Sequence, residues 1–229
     1  MSTETIKQKF YGWRMIVGAN LVDFFSAGLA FYAYAVFFGF IQEEFSASRF
    51  LVSLTVSMTI LAAGIYSPLL GYILDKFPIK KVLTIGALIF GFGFILLSIT
   101  QTFFQFLLVY GAVIALGMVI FGNLSTSKLI ANWFNDKIGT ALGYASIGLS
   151  FSGVIIPPIA VFLISSFTWR GAYLIFGSFV LIICSISAYK FFIDKPEDVG
   201  QFPDGIENDI TDSKVFSVQI LSFKEIVSD

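Results

Sequence analysis

Between residues 82 and 127 the chain runs for 46 positions without one charged side chain. A helix crossing a bilayer takes ~20 apolar residues, since ~30 Å of hydrocarbon is covered at ~1.5 Å per residue. The 46-residue run is therefore two crossings, and the polar cluster Thr100, Gln101, Thr102 and Gln105 is the natural turn between them. Other uncharged runs cover 50–74, 138–169 and 171–189, and between Arg14 and Glu43 only Asp23 is charged. These gaps predict helices over 13–40, 50–74, 82–100, 103–128, 139–166 and 170–193. A transmembrane β-barrel would need ~10-residue segments of alternating polarity, and these runs are continuously apolar. The expected fold class is thus an all-α membrane protein with six transmembrane helices.

Composition removes whole classes of chemistry. Charged residues are 13% of the chain, where a soluble domain carries about 25%. With no His and one cysteine, Cys184, there is no His-based metal site, no Ser-His-Asp triad and no intrachain disulfide. No metal and no cofactor is expected. Asp23 alone lacks the paired acid or nucleophile–base partner that an intramembrane enzyme requires. A net charge of −1 offers nucleic acid no basic surface, so the expected partner is the lipid bilayer.

Lysine and arginine set the orientation. With a cytoplasmic N-terminus, 12 of them fall inside, and only Arg49 and Arg170 fall outside. Both termini are then cytoplasmic, in a multi-pass protein of the plasma (inner) membrane. The first span is too long for a signal-peptide core and is expected to be retained. The expected organisation is a cytoplasmic start (1–12), a helical bundle (13–193), a solvated acidic linker (194–214) and an amphipathic connector (215–229). The linker carries seven acids from Asp194 to Asp212, with Lys195 as the only base among them.

The turn after the second span reads Gly71-Tyr-Ile-Leu-Asp75-Lys76-Phe-Pro78-Ile-Lys80-Lys81. Gly71 would permit close helix contact, and the three lysines would pin the turn to the inner face. The segment resembles the G-x-L-x-D-[RK]-x-G-[RK]-[RK]-[RK] signature of the major facilitator superfamily, with Pro78 at the usual glycine and Ile79 at a basic position. Further stretches resemble its monocarboxylate transporter and oxalate/formate antiporter branch. They are Tyr11-Gly12-Trp13-Arg14, then Asn132-Trp133-Phe134 through Gly139, Ala141 and Gly143, then Thr168-Trp169-Arg170-Gly171. Asp194-Lys195-Pro196-Glu197-Asp198 with Pro203-Asp204-Gly205 completes the set.

The resemblance implies the N-terminal half of a two-half transporter, built as two inverted three-helix repeats. It implies alternating-access transport of a small organic anion, alone or with protons, in which Gly71, Asp75, Lys76, Lys80 and Lys81 form an inner gate. Ile138 stands where the branch has arginine, and Lys137 is the expected substitute partner for Asp75. The chain stops where a second six-helix half would begin, so the expected partner is that half or a homodimer mate. The alternative is a truncated or split protein acting as a scaffold or partner subunit without transport.

Asp23 lies nine residues past Arg14, ~13 Å along a helix and near the bilayer midplane. A charge there costs on the order of 2.5–3.5 kcal/mol, which marks it for substrate or proton coupling, unless it only hydrogen-bonds Asn20 or a neighbouring helix. At about 100° per residue Asn20, Asp23, Ala27, Phe31 and Tyr34 share one face. In the fourth span Tyr110, Gly117 and Phe121 share a face; Gly117 either thins the helix beside a substrate or packs against a neighbour. Asn123 and Ser127 fall elsewhere, in packing positions. In the fifth span Gly139/Gly143 and Gly148/Ser152 are small-x-x-x-small pairs, and Gly153 precedes Pro157-Pro158, which can serve as a hinge. The paired phenylalanines, Phe37-Phe38 among them, are expected to face lipid. Trp13, Trp133 and Trp169 would form an interfacial belt, and Cys184 is an inert apolar residue.

Overall fold

Hydrocarbon offers no water to satisfy backbone groups, so each apolar run has to close its own hydrogen bonds, and each does so as a helix. The structure, a computed structural model, describes residues 10–206. The expected start up to residue 9, the linker from 207 and the connector 215–229 lie outside them. Among the described residues the elements are all helical, and five continuous stretches are long and apolar enough to cross a membrane.

They are α1 (Gly12–Glu44), α2 (Arg49–Lys76), α3 (Ile79–Ser98), α4 (Phe103–Trp133) and a stretch Ile138–Phe191. The last is broken at Thr168, whose φ of 67° and ψ of 167° are non-helical. It is therefore two crossings, α5 (138–167) and α6 (169–191). Thr168 Oγ1 accepts from Gly171 N at 3.4 Å, capping the new helix. The chain is helical straight through Pro157 and Pro158, so the bend lies ten residues beyond the second proline rather than at the pair.

Helix starts are written in side chains. Ser48 accepts from Leu51 N at 3.3 Å to open α2, and Thr102 accepts from Gln105 N at 3.3 Å to open α4. Gln105 Oε1 in turn accepts from Gln101 N at 2.9 Å, so the polar cluster is a turn, as expected. At this end of the bundle Arg170 donates to Glu44 Oε1 at 2.6 Å and to the Thr100 carbonyl at 3.0 Å, tying α6 to the ends of α1 and α3.

Three helices carry a π-helical turn: Gly28–Ala33 in α1, Val109–Ile114 in α4 and Val180–Cys184 in α6. Helix α4 also breaks at Phe121 (φ −94°, ψ 63°) and Gly122 (φ −165°, ψ −162°) before restarting at Asn123. Each departure resets the phase of the side chains that follow.

Three expectations about packing are corrected. The phenylalanines are not mainly lipid-facing bulk: Phe37, Phe90, Phe94 and Phe106 are fully buried, and Phe37 stacks on Tyr173 at 4.0 Å. With this many rings the bundle can fill its own centre with them. Trp133 and Trp169 are likewise buried, and only Trp13 is exposed. Trp133 is drawn in because Nε1–H donates to the Ile193 carbonyl at 3.0 Å. Finally, the described part of the acidic linker is docked rather than simply solvated. Asp194 accepts from Lys80 N at 2.8 Å, Gln201 Oε1 accepts from Tyr11 N at 2.9 Å, and Asp204 caps the start of α5.

Candidate functional site

The break in α4 builds the site. The chain leaves the helix at Phe121 and Gly122, where a Cβ on Gly122 would collide with the Met118 carbonyl and Ser26 Oγ. The restart turns Asn123 and Thr126 towards α1. Asn123 Nδ2 donates to Asp23 Oδ2 at 3.2 Å, and Thr126 Oγ1 lies 3.1 Å from Asp23 Oδ1. Asp23 is 2% exposed, on the wall of a cavity of about 230 Å³ that Ser26, Ala27, Phe31, Met118 and Asn123 also line. This corrects the packing role given to Asn123, because an unbroken helix places it on another face. Of the two hydrogen-bonded alternatives, the carboxyl meets the neighbouring helix α4 and not Asn20, which donates instead to the Tyr144 carbonyl at 2.8 Å.

The hydrogen bonds suit either protonation state of the carboxyl. Thr126 Oγ1 also lies 3.0 Å from the Asn123 carbonyl. With Asp23 ionised, Thr126 donates to Oδ1 and Asn123 donates to Oδ2. With Asp23 protonated on Oδ1, the acid donates to Thr126, whose own hydrogen turns to the Asn123 carbonyl. A buried carboxyl can then gain or lose a proton without orphaning a neighbour, an outcome that would otherwise be costly.

The expected polar stripe of α1 is divided. Asp23, Ala27 and Phe31 stay together on the cavity. Tyr34, beyond the π turn, is buried and donates to the Val52 carbonyl at 2.7 Å. Tyr110 donates to the Ala30 carbonyl inside that π turn at 2.7 Å. The two tyrosine rings sit 4.8 Å apart, and their hydroxyls are spent on backbone. Gly117 is a contact point: a Cβ there would lie 2.6 Å from Phe90 Cα, so it joins α4 to α3.

At the opposite end of α4 from Tyr110, Lys128 Nζ lies 2.8 Å from Asp75 Oδ1. The partner of Asp75 is therefore Lys128, not the expected Lys137, because Lys128 stands on the restarted part of α4 beside the end of α2. Lys76 reaches back to the Tyr72 hydroxyl and ring, Lys80 gives its backbone amide to Asp194, and Lys81 is exposed. A Cβ on Gly71, Gly139 or Gly143 would meet nothing within 4 Å, so the close contacts expected there are absent among the described residues. Gly148 and Gly153 do pack, against Asn20 O and the Tyr32 ring. Pro157 lies within α5 without breaking it.

Sequence reasoning passed over Thr126, although the polar run Asn123, Ser125, Thr126 and Ser127 behind a glycine was a usable signal of an interrupted span. The family model of the Major Facilitator Superfamily matches residues 24–224. Monocarboxylate transporter 12 of Mus musculus is 27% identical over 192 residues, 82% of this chain and 38% of the relative. Monocarboxylate transporter 4 of Rattus norvegicus is 27% identical over 195 residues, 83% of this chain and 40% of the relative. The uncharacterized MFS-type transporter YcxA of Bacillus subtilis (strain 168) is 26% identical over 135 residues, 59% of this chain and 33% of the relative. The chain thus spans about two-fifths of the length of the monocarboxylate transporters it matches. From these matches and its apolar helices, the chain is a multi-pass membrane protein that belongs to the major facilitator superfamily.

Proposed function

We propose that this chain supplies the N-terminal half of a transporter that moves a small, monocarboxylate-like organic anion by alternating access, with Asp23 as the proton-coupling or substrate-adjacent carboxyl. The observation that carries the reading is the buried Asp23 on a cavity wall, held by two partners that tolerate its proton in either state. Intramembrane acids that line a cavity mark substrate and proton paths. The names of the relatives support the substrate class.

Among the described residues no Lys or Arg lines this cavity. The cation that receives a carboxylate then comes from a second six-helix unit, either a second half or another copy. The lysines at the inner ends support a plasma-membrane orientation with both termini cytoplasmic. The Gly71–Lys81 turn acts as the inner gate, through the Asp75–Lys128 pair.

Uptake of labelled small carboxylates into proteoliposomes under an imposed pH gradient tests the reading. In the assembled transporter Asp23→Asn should abolish the pH dependence, and this chain alone should stay at background. An unchanged pH profile in Asp23→Asn removes the coupling role.

A further inference from the structure

We propose that the groove between the inner halves of α1 and α6 is a binding site for one anionic glycerophospholipid, with an acyl chain in the groove and its phosphate on Arg14. The groove has a volume of about 250 Å³ and is separate from the Asp23 cavity. Leu21, Phe25, Phe179 and Ile183 form its walls, and Phe121 lies at its base. Carbon lines it almost throughout, so it offers nothing to a polar solute and everything to a hydrocarbon chain.

Its construction is specific. Gly18 allows α6 to lay rings across α1: a Cβ there would lie 2.6 Å from the Phe192 ring and 2.8 Å from the Phe191 ring. Those rings line the cytoplasmic end of the groove, beside its mouth. Arg14 stands one turn beyond Gly18 on the same face, its guanidinium 5.7 Å from the Phe191 ring centre and 5.1 Å from that of Tyr11. It is exposed, and among the described residues it forms no salt bridge. The apolar slot and the unpaired cation at its mouth therefore lie on one line. From Arg14 to Phe25 that line is ~16 Å along the helix, room for most of an acyl chain.

The charge argument selects the lipid. An arginine at the cytoplasmic interface attracts an anionic headgroup, and its planar fork fits a phosphate bidentately. A zwitterionic lipid fills the groove equally well but returns less at the phosphate, because its own ammonium competes.

Native mass spectrometry of the full chain tests this, after reconstitution with phosphatidylglycerol and phosphatidylcholine in equal amounts. The wild type should retain one phosphatidylglycerol with about fivefold preference, the factor one basic side chain supplies near an anionic surface. Arg14→Gln should bind lipid without preference, and Arg14→Lys should keep most of it. Ile183→Trp, which fills the groove, should lose retention of both lipids while its melting temperature in detergent shows that it folds. Lys137→Gln, at the same membrane face but away from the groove, should keep the wild-type lipid preference. The proposal is overturned by a wild type without preference, by Arg14→Gln matching wild type, or by a second protein chain in place of lipid.

Discussion

Lys128 Nζ lies 2.8 Å from Asp75 Oδ1, and this contact ties the C-terminal end of α4 to the C-terminal end of α2. The side chains are 42% and 68% exposed, so water and salt screen the pair. Such a pair contributes about 0.2–1 kcal/mol. Asp75→Asn and Lys128→Gln should each lower stability within that range, and the double variant should fall no further than the weaker single one. Thermal unfolding in a double-mutant cycle measures this, and the coupling should fade in high salt. A cycle that couples Asp75 to Lys137 instead would reject the pairing.

The Asp23 cluster should respond differently to each of its partners. Thr126→Val removes a hydroxyl that serves both Asp23 and the Asn123 carbonyl. An orphaned buried polar group costs about 1–3 kcal/mol, and Thr126→Val should destabilise by that amount. Thr126→Ser keeps the hydroxyl and should cost less than half as much. If valine and serine are equally benign in chemical or thermal unfolding, Thr126 does not hold the carboxyl.

Helix number and the family were legible because both are carried by long, redundant patterns. Charge gaps of 19 residues or more leave little freedom to an aqueous alternative. The turn at Thr100 to Gln105 was equally plain, since polar residues cannot be spared inside hydrocarbon. What failed was phase. A regular 100° projection put Tyr34 beside Asp23 and Asn123 away from it. The π turn at Gly28–Ala33 and the break at Phe121 and Gly122 reversed both placements. The glycines were legible in part, because small-x-x-x-small spacing says that a helix can be approached, not which helix comes. Gly148 meets Asn20 and Gly117 meets Phe90, whereas Gly139 and Gly143 meet nothing within 4 Å.

That contrast is measurable. At Gly117 a Cβ would lie 2.6 Å from Phe90 Cα, and at Gly148 2.0 Å from Asn20 O, both backbone atoms that move only with their helices. Gly117→Ala and Gly148→Ala should each cost about 1–3 kcal/mol through overpacking. Gly139→Ala, in open space within a helix, should stabilise by about 0.5–1 kcal/mol through helix propensity. Melting temperatures of the three variants decide it, and a destabilised Gly139→Ala would mean that this face is covered.

The cap on α5 predicts an acid-side loss of stability. Asp204 Oδ2 accepts from Asn135 N at 2.9 Å and Asp136 N at 2.8 Å, while Oδ1 accepts from Lys137 N at 3.4 Å. Slight burial pushes its pKa up, but the Asp136, Asn135 and Lys137 amides and the Lys137 charge outweigh that, so it sits below the usual carboxylate value. A carboxyl whose pKa is lowered by folding stabilises the fold above its unfolded pKa, about 3.9. That contribution disappears as pH falls from there through the folded value. Asp204 has a φ of 59°, and Asn tolerates this left-handed backbone well, so Asp204→Asn isolates the charge. The melting temperature of wild type minus that of Asp204→Asn should be positive above about pH 4 and shrink towards zero on further acidification. A difference that stays constant across this range would show that Asp204 holds the segment by shape, not by charge.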